Sequence, residues 1–115
     1  VLFRSLVSGT GNKDFMDPDY LYTAGERIVC LERCFNIREG FTRKDDYLPD
    51  RFLKEPLKNA GPATGEYYRK YDTLPDEYYA TSGYGENGVP CAETLQRLGL
   101  ENITSDLNTD VPAID

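Results

Sequence analysis

The sequence predicts a mainly α fold, a small helical domain of three to four helices joined by long loops. Three observations carry that prediction. After Asp17-Pro18, the apolar residues Leu21, Ala24, Ile28, Leu31 and Phe35 recur at steps of three and four, which is the spacing of one helix face. Pro and Gly then cut the chain into short pieces, several of which begin as helices do. Little of the sequence reads as sheet.

Taken in order, Val1 to Val7 is apolar and reads as a helix end or a short strand, stopped by Gly9 and Gly11. A polar connection, Asn12 to Phe15, follows. At Asp17-Pro18 the Asp supplies an N-cap acceptor and the Pro suits the first helical position. The helix should run to Ile37, with Gly40 just beyond it. Gly25 stands in its middle, at a cost of about 1 kcal/mol relative to Ala. Close approach of another backbone would account for it, and so would a kink.

Phe41 to Leu48 is a charge-dense turn. Leu48-Pro49-Asp50 opens a short helix that Pro56 stops, because the residue before Pro avoids helical angles. Lys58 to Gly65 is a loop, and Glu66 to Tyr71 is ambiguous between strand and helix. Pro75 begins a helix that stops at Gly83. Cys91 to Leu98 is a further short helix with Leu95 and Leu98 inward and Gly99 at its end. Residues 1–100 form the helical unit, and residues 101–115 form a tail with four acidic residues and no basic one. That tail either lies on something or is disordered.

A chain of 115 residues fits one domain and can bury roughly two-thirds of its unfolded surface. Hydrophobic content is 39% and mean hydropathy −0.59, a lean core helped by nine Tyr and five Phe. The net charge of −7 argues against nucleic acid and against anionic membrane as partners. There is no apolar run of about 20 residues, the length needed to span a bilayer. Three Cys without framework spacing, and no His, fit a reducing, cytoplasmic setting better than a secreted disulfide scaffold. The apolar opening VLFRSLV reads as the last turns of a helix whose start is missing, so the chain is expected to be a fragment of a longer protein.

Few chemistries survive inspection. Cys30 and Cys34 share a helix face, but a structural zinc or iron–sulfur site wants four ligands, and small buried hydrophobes are the better reading. Without His, a Cys or Ser nucleophile lacks its usual base. The Gly-rich stretches at 9–13 and 83–88 read as turns and not as phosphate loops. Asp45-Asp46 stands beside Arg43 and Lys44, which favours ion pairing over acid–base work. Asp76-Glu77 suits the positive end of a helix dipole.

The segment Gly25 to Phe52 is the best candidate for a site. Five basic residues (Arg27, Arg33, Arg38, Arg43, Lys44) and five acidic ones (Glu26, Glu32, Glu39, Asp45, Asp46) are threaded with Phe35, Ile37 and Phe41. Such pairing suggests a partly buried ionic network. Asn36, Arg38, Glu39, Arg43 and Asp45 are the candidates for structural or cavity-supporting roles, with Asn36 as a cap of the long helix.

The same segment, GERIVCLERCFNIREGFTRKDDYLPDRFLKEPL, resembles the C-terminal domain of tungsten-containing aldehyde:ferredoxin oxidoreductases. LPDEYYATSGYGENGVPCAETLQRLGL is similar to that family's ending, and the resemblance covers about residues 17–100. It implies that the chain is the third, helical domain of a larger multidomain enzyme. That enzyme would oxidise aldehydes to carboxylic acids and pass electrons to ferredoxin. It would use a tungsten or molybdenum bis-pterin (molybdopterin-type) cofactor and a 4Fe–4S iron–sulfur cluster for electron transfer.

The family's early cluster cysteines are absent, and Cys30, Cys34 and Cys91 do not stand where its pattern needs Cys. Gly83-Tyr84-Gly85 departs from the family's Gly-Trp-Asp turn. No catalytic, cofactor-binding or metal residue is therefore assigned, and the isolated fragment is expected to be inactive. Its partners are expected to be the remaining domains of the enzyme and ferredoxin, with self-association as a homo-oligomer through Tyr-rich patches. Two alternatives stand beside this reading. One is a non-enzymatic interaction module that uses Tyr67, Tyr68, Tyr71, Tyr78 and Tyr79. The other is a family relative with a different substrate, such as an aromatic-ring reductase subunit.

Overall fold

Helix α2, Pro18–Arg38, is the spine on which the rest of the chain is arranged. The structure, a computed structural model, describes residues 2–67, 73–107 and 109–113. Its α2 begins as the sequence predicts. The Asp17 side chain accepts the Asp19 N–H at 3.0 Å, and Pro18 follows at the first position. The helix ends one residue past the expected stop, with Glu39 as the cap.

The mainly α class stands. Four further α-helices accompany α2 among the described residues: α1 (Leu2–Thr10), α3 (Asp50–Lys54), α4 (Leu74–Ser82) and α5 (Ala92–Arg97). Tight 3-10 turns fill several of the connections, and the one contact of strand type among the described residues is an isolated bridge between Tyr84 and Pro90. The opening segment is helix and not strand, and it runs through Gly9 to Thr10 instead of stopping there. Gly83 ends α4 with φ +70°, a left-handed angle that costs glycine little.

The core lies against the C-terminal half of α2. Cys30, Cys34 and Ile37 pack with Tyr79, Tyr84, Val89, Leu95, Leu98, Leu100 and Leu107. Leu95 and Leu98 face inward as predicted, with 0% and 1% exposure. Residues 101–106 form a 3-10 helix, and Leu107 beyond it reaches the core. The Ala92 N–H donates to the Pro112 carbonyl at 3.0 Å, so the acidic tail lies on the domain.

The face of α2 that the 3–4 spacing singles out is not the one this core uses. Ile28, Leu31 and Phe35 are 60%, 47% and 54% exposed. At 100° per residue, Cys30, Cys34 and Ile37 centre about 125° around the helix from them. The helix is therefore apolar on a second side, which this chain leaves open from Ile28 to Phe35, while Leu21 and Ala24 on it are half-buried. No backbone of this chain closely approaches Gly25 among the described residues: a Cβ built on it meets nothing within 4 Å. The radius of gyration is 18.5 Å, against roughly 13 Å for a compact domain of this length. The chain as a whole is thus more extended than a compact domain.

Of the Tyr residues proposed as one adhesive surface, Tyr79 does not contribute to a surface. Tyr79 is buried at 4% exposure, Tyr78 is exposed, and Tyr68 and Tyr71 lie outside the described residues. Glu66 and Tyr67 carry no helix or strand, and the rest of that ambiguous stretch also lies outside the described residues.

Candidate functional site

The charged turn is built locally first. The Thr42 hydroxyl accepts from the Lys44 N–H, and the Asp45 carboxylate accepts the Thr42 N–H at 2.8 Å. This reciprocal cap starts a 3-10 helix at Arg43–Asp46. It faces Asp46 toward α2 and leaves Asp45 to bond its own turn. The expected pairing of Asp45 and Asp46 with Arg43 and Lys44 is thus replaced by a cap and a longer-range bond.

That bond is to Arg33. Its Nη1 and Nη2 each donate to Asp46, at 2.7 Å to Oδ1 and 2.7 Å to Oδ2. Its Nε donates to the Gly88 carbonyl at 2.8 Å. The Tyr79 hydroxyl donates to Asp46 Oδ2. A single Arg thereby joins α2, the charged turn and the 84–90 turn, with α4 attached through Tyr79. A Cβ at Gly88, whose φ is +73°, would strike the Arg33 guanidinium and the Tyr79 ring, so no larger residue fits there.

Arg43 closes the outer side. Its Nη1 lies 2.6 Å from Asp76 Oδ1 and donates to the Glu86 carbonyl at 2.6 Å. The guanidinium carbons of Arg33 and Arg43 stand 5.9 Å and 5.4 Å from the Tyr79 ring centre, within cation–π range. Midway along α2, Arg27 Nε donates to the Leu98 carbonyl at 2.7 Å, and Arg97 bonds Glu26 at 2.8 Å. A cation thus sits at the negative end of α5.

The electrostatics follow from these contacts. Partial burial works against the Asp46 charge, but Arg33 and the Tyr79 hydroxyl outweigh it and hold the carboxyl below its ordinary range. Burial and the bond to Asp46 push the Tyr79 phenol up to about 12. The bond from Arg97 lowers Glu26.

Of the residues singled out from sequence, Arg43 joins this network and Asp45 supports its turn. Arg38 and Glu39 stand apart as an exposed pair at 3.3 Å, with Arg38 stacked 4.9 Å from the Phe35 ring. At Asn36 it is the backbone carbonyl that accepts, from the Phe41 N–H at 3.0 Å, while Glu39 holds the C-cap position. Arg33, Asp46, Tyr79 and Gly88 were missed as a unit. One signal was available: Cys30, Arg33, Cys34 and Ile37 share a face at helical spacing, once Cys is counted as a core residue.

An open depression of about 550 Å³ borders the network, lined by Arg43, Asp76, Tyr79 and Tyr84 among others. Its Arg43 and Asp76 already bond each other. Among the described residues no buried side-chain N or O lacks a partner. The arrangement can lock four segments together, and it contains no nucleophile set beside a base.

A residue order this specific invites comparison with known proteins. The family model for aldehyde ferredoxin oxidoreductase, domains 2 and 3, matches residues 3–100. The chain belongs to the aldehyde ferredoxin oxidoreductase family. It is 45% identical over 100 residues to the tungsten-containing aldehyde ferredoxin oxidoreductase of Pyrococcus horikoshii, covering 86% of this chain and 16% of that protein. The Pyrococcus furiosus protein of the same name is 40% identical over 99 residues, 85% of this chain and 16% of its own length. The WOR-like subunit of an aliphatic sulfonate oxidoreductase from Pyrococcus furiosus is 36% identical over 88 residues, 70% of this chain and 14% of its own. The chain thus spans about one-sixth of the length of the tungsten-containing relatives it matches.

The family's redox groups do not fit the residues present. Among the described residues no three of His, Cys, Asp and Glu gather as metal ligands. Cys30, Cys34 and Cys91 form no disulfide and are buried at 1%, 3% and 3% exposure. The bond to Cys30 and burial push the Cys34 thiol up, away from the thiolate a metal would need. No helix among the described residues is long and apolar enough to cross a membrane.

Proposed function

We propose that this chain is the C-terminal domain of a cytoplasmic enzyme that oxidises aldehydes to carboxylic acids with ferredoxin as the electron acceptor. The observation that carries the reading is the 45% identity over 100 residues to a tungsten-containing aldehyde ferredoxin oxidoreductase. A tungsten or molybdenum bis-pterin and a 4Fe–4S cluster, held by other domains of the polypeptide, would supply the two-electron chemistry. This chain's own contribution is mechanical. Arg33, Asp46, Tyr79 and Arg43 fix the charged turn against three other segments. Arg38 and Glu39, exposed at the end of α2, are free to face the domain boundary. The fragment alone would turn over no aldehyde.

The test is a chimera in which these 115 residues replace the matching segment of the Pyrococcus horikoshii enzyme. Aldehyde-dependent reduction of ferredoxin by the metal-loaded chimera is the expected result. An assembled, metal-loaded chimera that leaves aldehydes untouched would defeat the reading. The match to the sulfonate oxidoreductase subunit supports a second reading, a family member with another substrate. Turnover of a sulfonate in place of an aldehyde, by the natural polypeptide that carries this segment, would favour it.

A further inference from the structure

We propose that the second apolar face of α2 is the seat of another helix, supplied by the same polypeptide outside these 115 residues. The inference rests on the family reading above and adds to it a specific surface and the kind of occupant.

Leu21, Ala24, Ile28, Leu31 and Phe35 step by three, four, three and four. That is the alternation of a seam along which two helices pack side by side, each side chain entering a space between four on the partner. Leu21 and Ala24 are half-buried within this chain, so the open part of the seam runs from Ile28 to Phe35, roughly 11 Å of helix at 1.5 Å per residue. The core of this chain takes the other side of α2, and Ile28, Leu31 and Phe35 remain 60%, 47% and 54% exposed. Leu31, Glu32, Phe35 and Asn36 frame a shallow depression of about 410 Å³. Their i, i+1, i+4, i+5 relation is a diamond of the helix surface, the space a partner's side chain enters.

The flank of the seam points the same way. Gly25, Glu32 and Glu39 follow the seam positions Ala24, Leu31 and Arg38 along one edge. Gly25 has open space where a Cβ would stand, so a neighbouring backbone can come close at that level. Glu32 and Glu39 favour Lys or Arg on the facing helix. The opposite edge is closed, because Arg27 bonds the Leu98 carbonyl and Cys34 is buried.

The occupant is assigned to the same polypeptide because the matched relatives are about six times as long as the segment they share with this chain. An apolar seam on a domain of this size is ordinarily covered by what it is attached to.

Side-chain oxidation by hydroxyl radicals, read by mass spectrometry, tests this on the Pyrococcus horikoshii chimera and on the 115-residue chain alone. The expected result is at least a tenfold fall in labelling of Ile28, Leu31 and Phe35 in the chimera, independent of protein concentration. Equal labelling in both would overturn the proposal. So would protection that disappears on dilution, which would make the occupant a second copy. If the chimera does not assemble, the positions aligned with Ile28, Leu31 and Phe35 in the native Pyrococcus horikoshii enzyme are read instead, and full labelling there overturns it. A protected seam in a chimera that oxidises no aldehyde defeats the proposed function alone. A labelled seam in an active chimera defeats this inference alone.

Discussion

The Arg33 guanidinium holds the Asp46 carboxylate by two parallel bonds of 2.7 Å across thirteen residues of chain. Their side chains are 13% and 27% exposed. The pair is therefore shielded from solvent well enough to matter, unlike the exposed pairs of Arg51 with Glu55 and Lys54 with Asp50. Asp46→Ala leaves Arg33 partly buried without its counter-charge and strands the Tyr79 hydroxyl. It should destabilise the chain by about 3 kcal/mol in urea unfolding. Asp46→Asn keeps an acceptor and should cost less, about 2 kcal/mol.

The same pair sets the acid response. In the unfolded chain an Asp titrates near pH 4, roughly its reference value. In the fold Asp46 titrates lower, because Arg33 and Tyr79 hold its charged form. The unfolded state thus binds the proton more readily. Its contribution is present above about pH 4 and is lost as pH falls through the folded value. A urea midpoint followed downward from pH 6 should fall, and Asp46→Ala should flatten part of that fall.

Tyr79 gives the opposite limb. Its phenol is pushed up to about 12 in the fold, whereas an unfolded Tyr titrates near 10. The folded state keeps its proton longer, so this contribution is present below about pH 10 and is lost as pH rises toward 12. Tyr79→Phe should lower stability at neutral pH and also shrink the alkaline loss, both measured by urea unfolding.

The three thiols should be silent in the native chain. Each is at most 3% exposed, and that burial keeps reagents out even though the Cys30–Cys34 hydrogen bond lowers the Cys30 thiol as it raises Cys34. A disulfide reagent should modify none of them quickly at pH 8 and all three once the chain is unfolded. Fast native reaction of any one would contradict the packing of α2 on the core.

The two sides of α2 should respond differently to truncation. Leu95, fully buried where α5 meets α2, should cost about 3 kcal/mol as Leu95→Ala. Ile28→Ala, on the exposed face, should change the stability of the 115-residue chain by no more than about 0.5 kcal/mol.

The start and stop of α2, the helix from Pro75 to Gly83 and the inward Leu95 and Leu98 were all legible in the sequence. Each signal lies within a few residues of the structure it controls. Asp17 bonds two residues on, Pro18 fixes its own φ, and Gly83 turns the chain where it stands. A charged network around residues 25–52 was also expected, and the charge density marked the right region. The 3–4 spacing marked the large side chains Ile28, Leu31 and Phe35, whereas Cys30 and Cys34, read from the sequence as small buried hydrophobes, lie on the face this core covers. Both faces are apolar, and spacing cannot say which of them meets this chain.

By itself, then, the sequence determined the helices, their caps, the lean acidic composition and, through a long ordered series of residues, the family. Only the tertiary structure decided which partners the charges take. Asp46 reaches Arg33 and Tyr79, Arg33 reaches Gly88, and Arg43 reaches Asp76, across thirteen to 55 residues of intervening chain for the bonds of Arg33, and 33 between Asp46 and Tyr79. Capping and turn formation are settled by neighbours along the chain. Ion pairing is settled by which side chains the packed core brings within 3 Å, and for that Cys30, Cys34 and Ile37 had first to turn α2 toward α4 and α5.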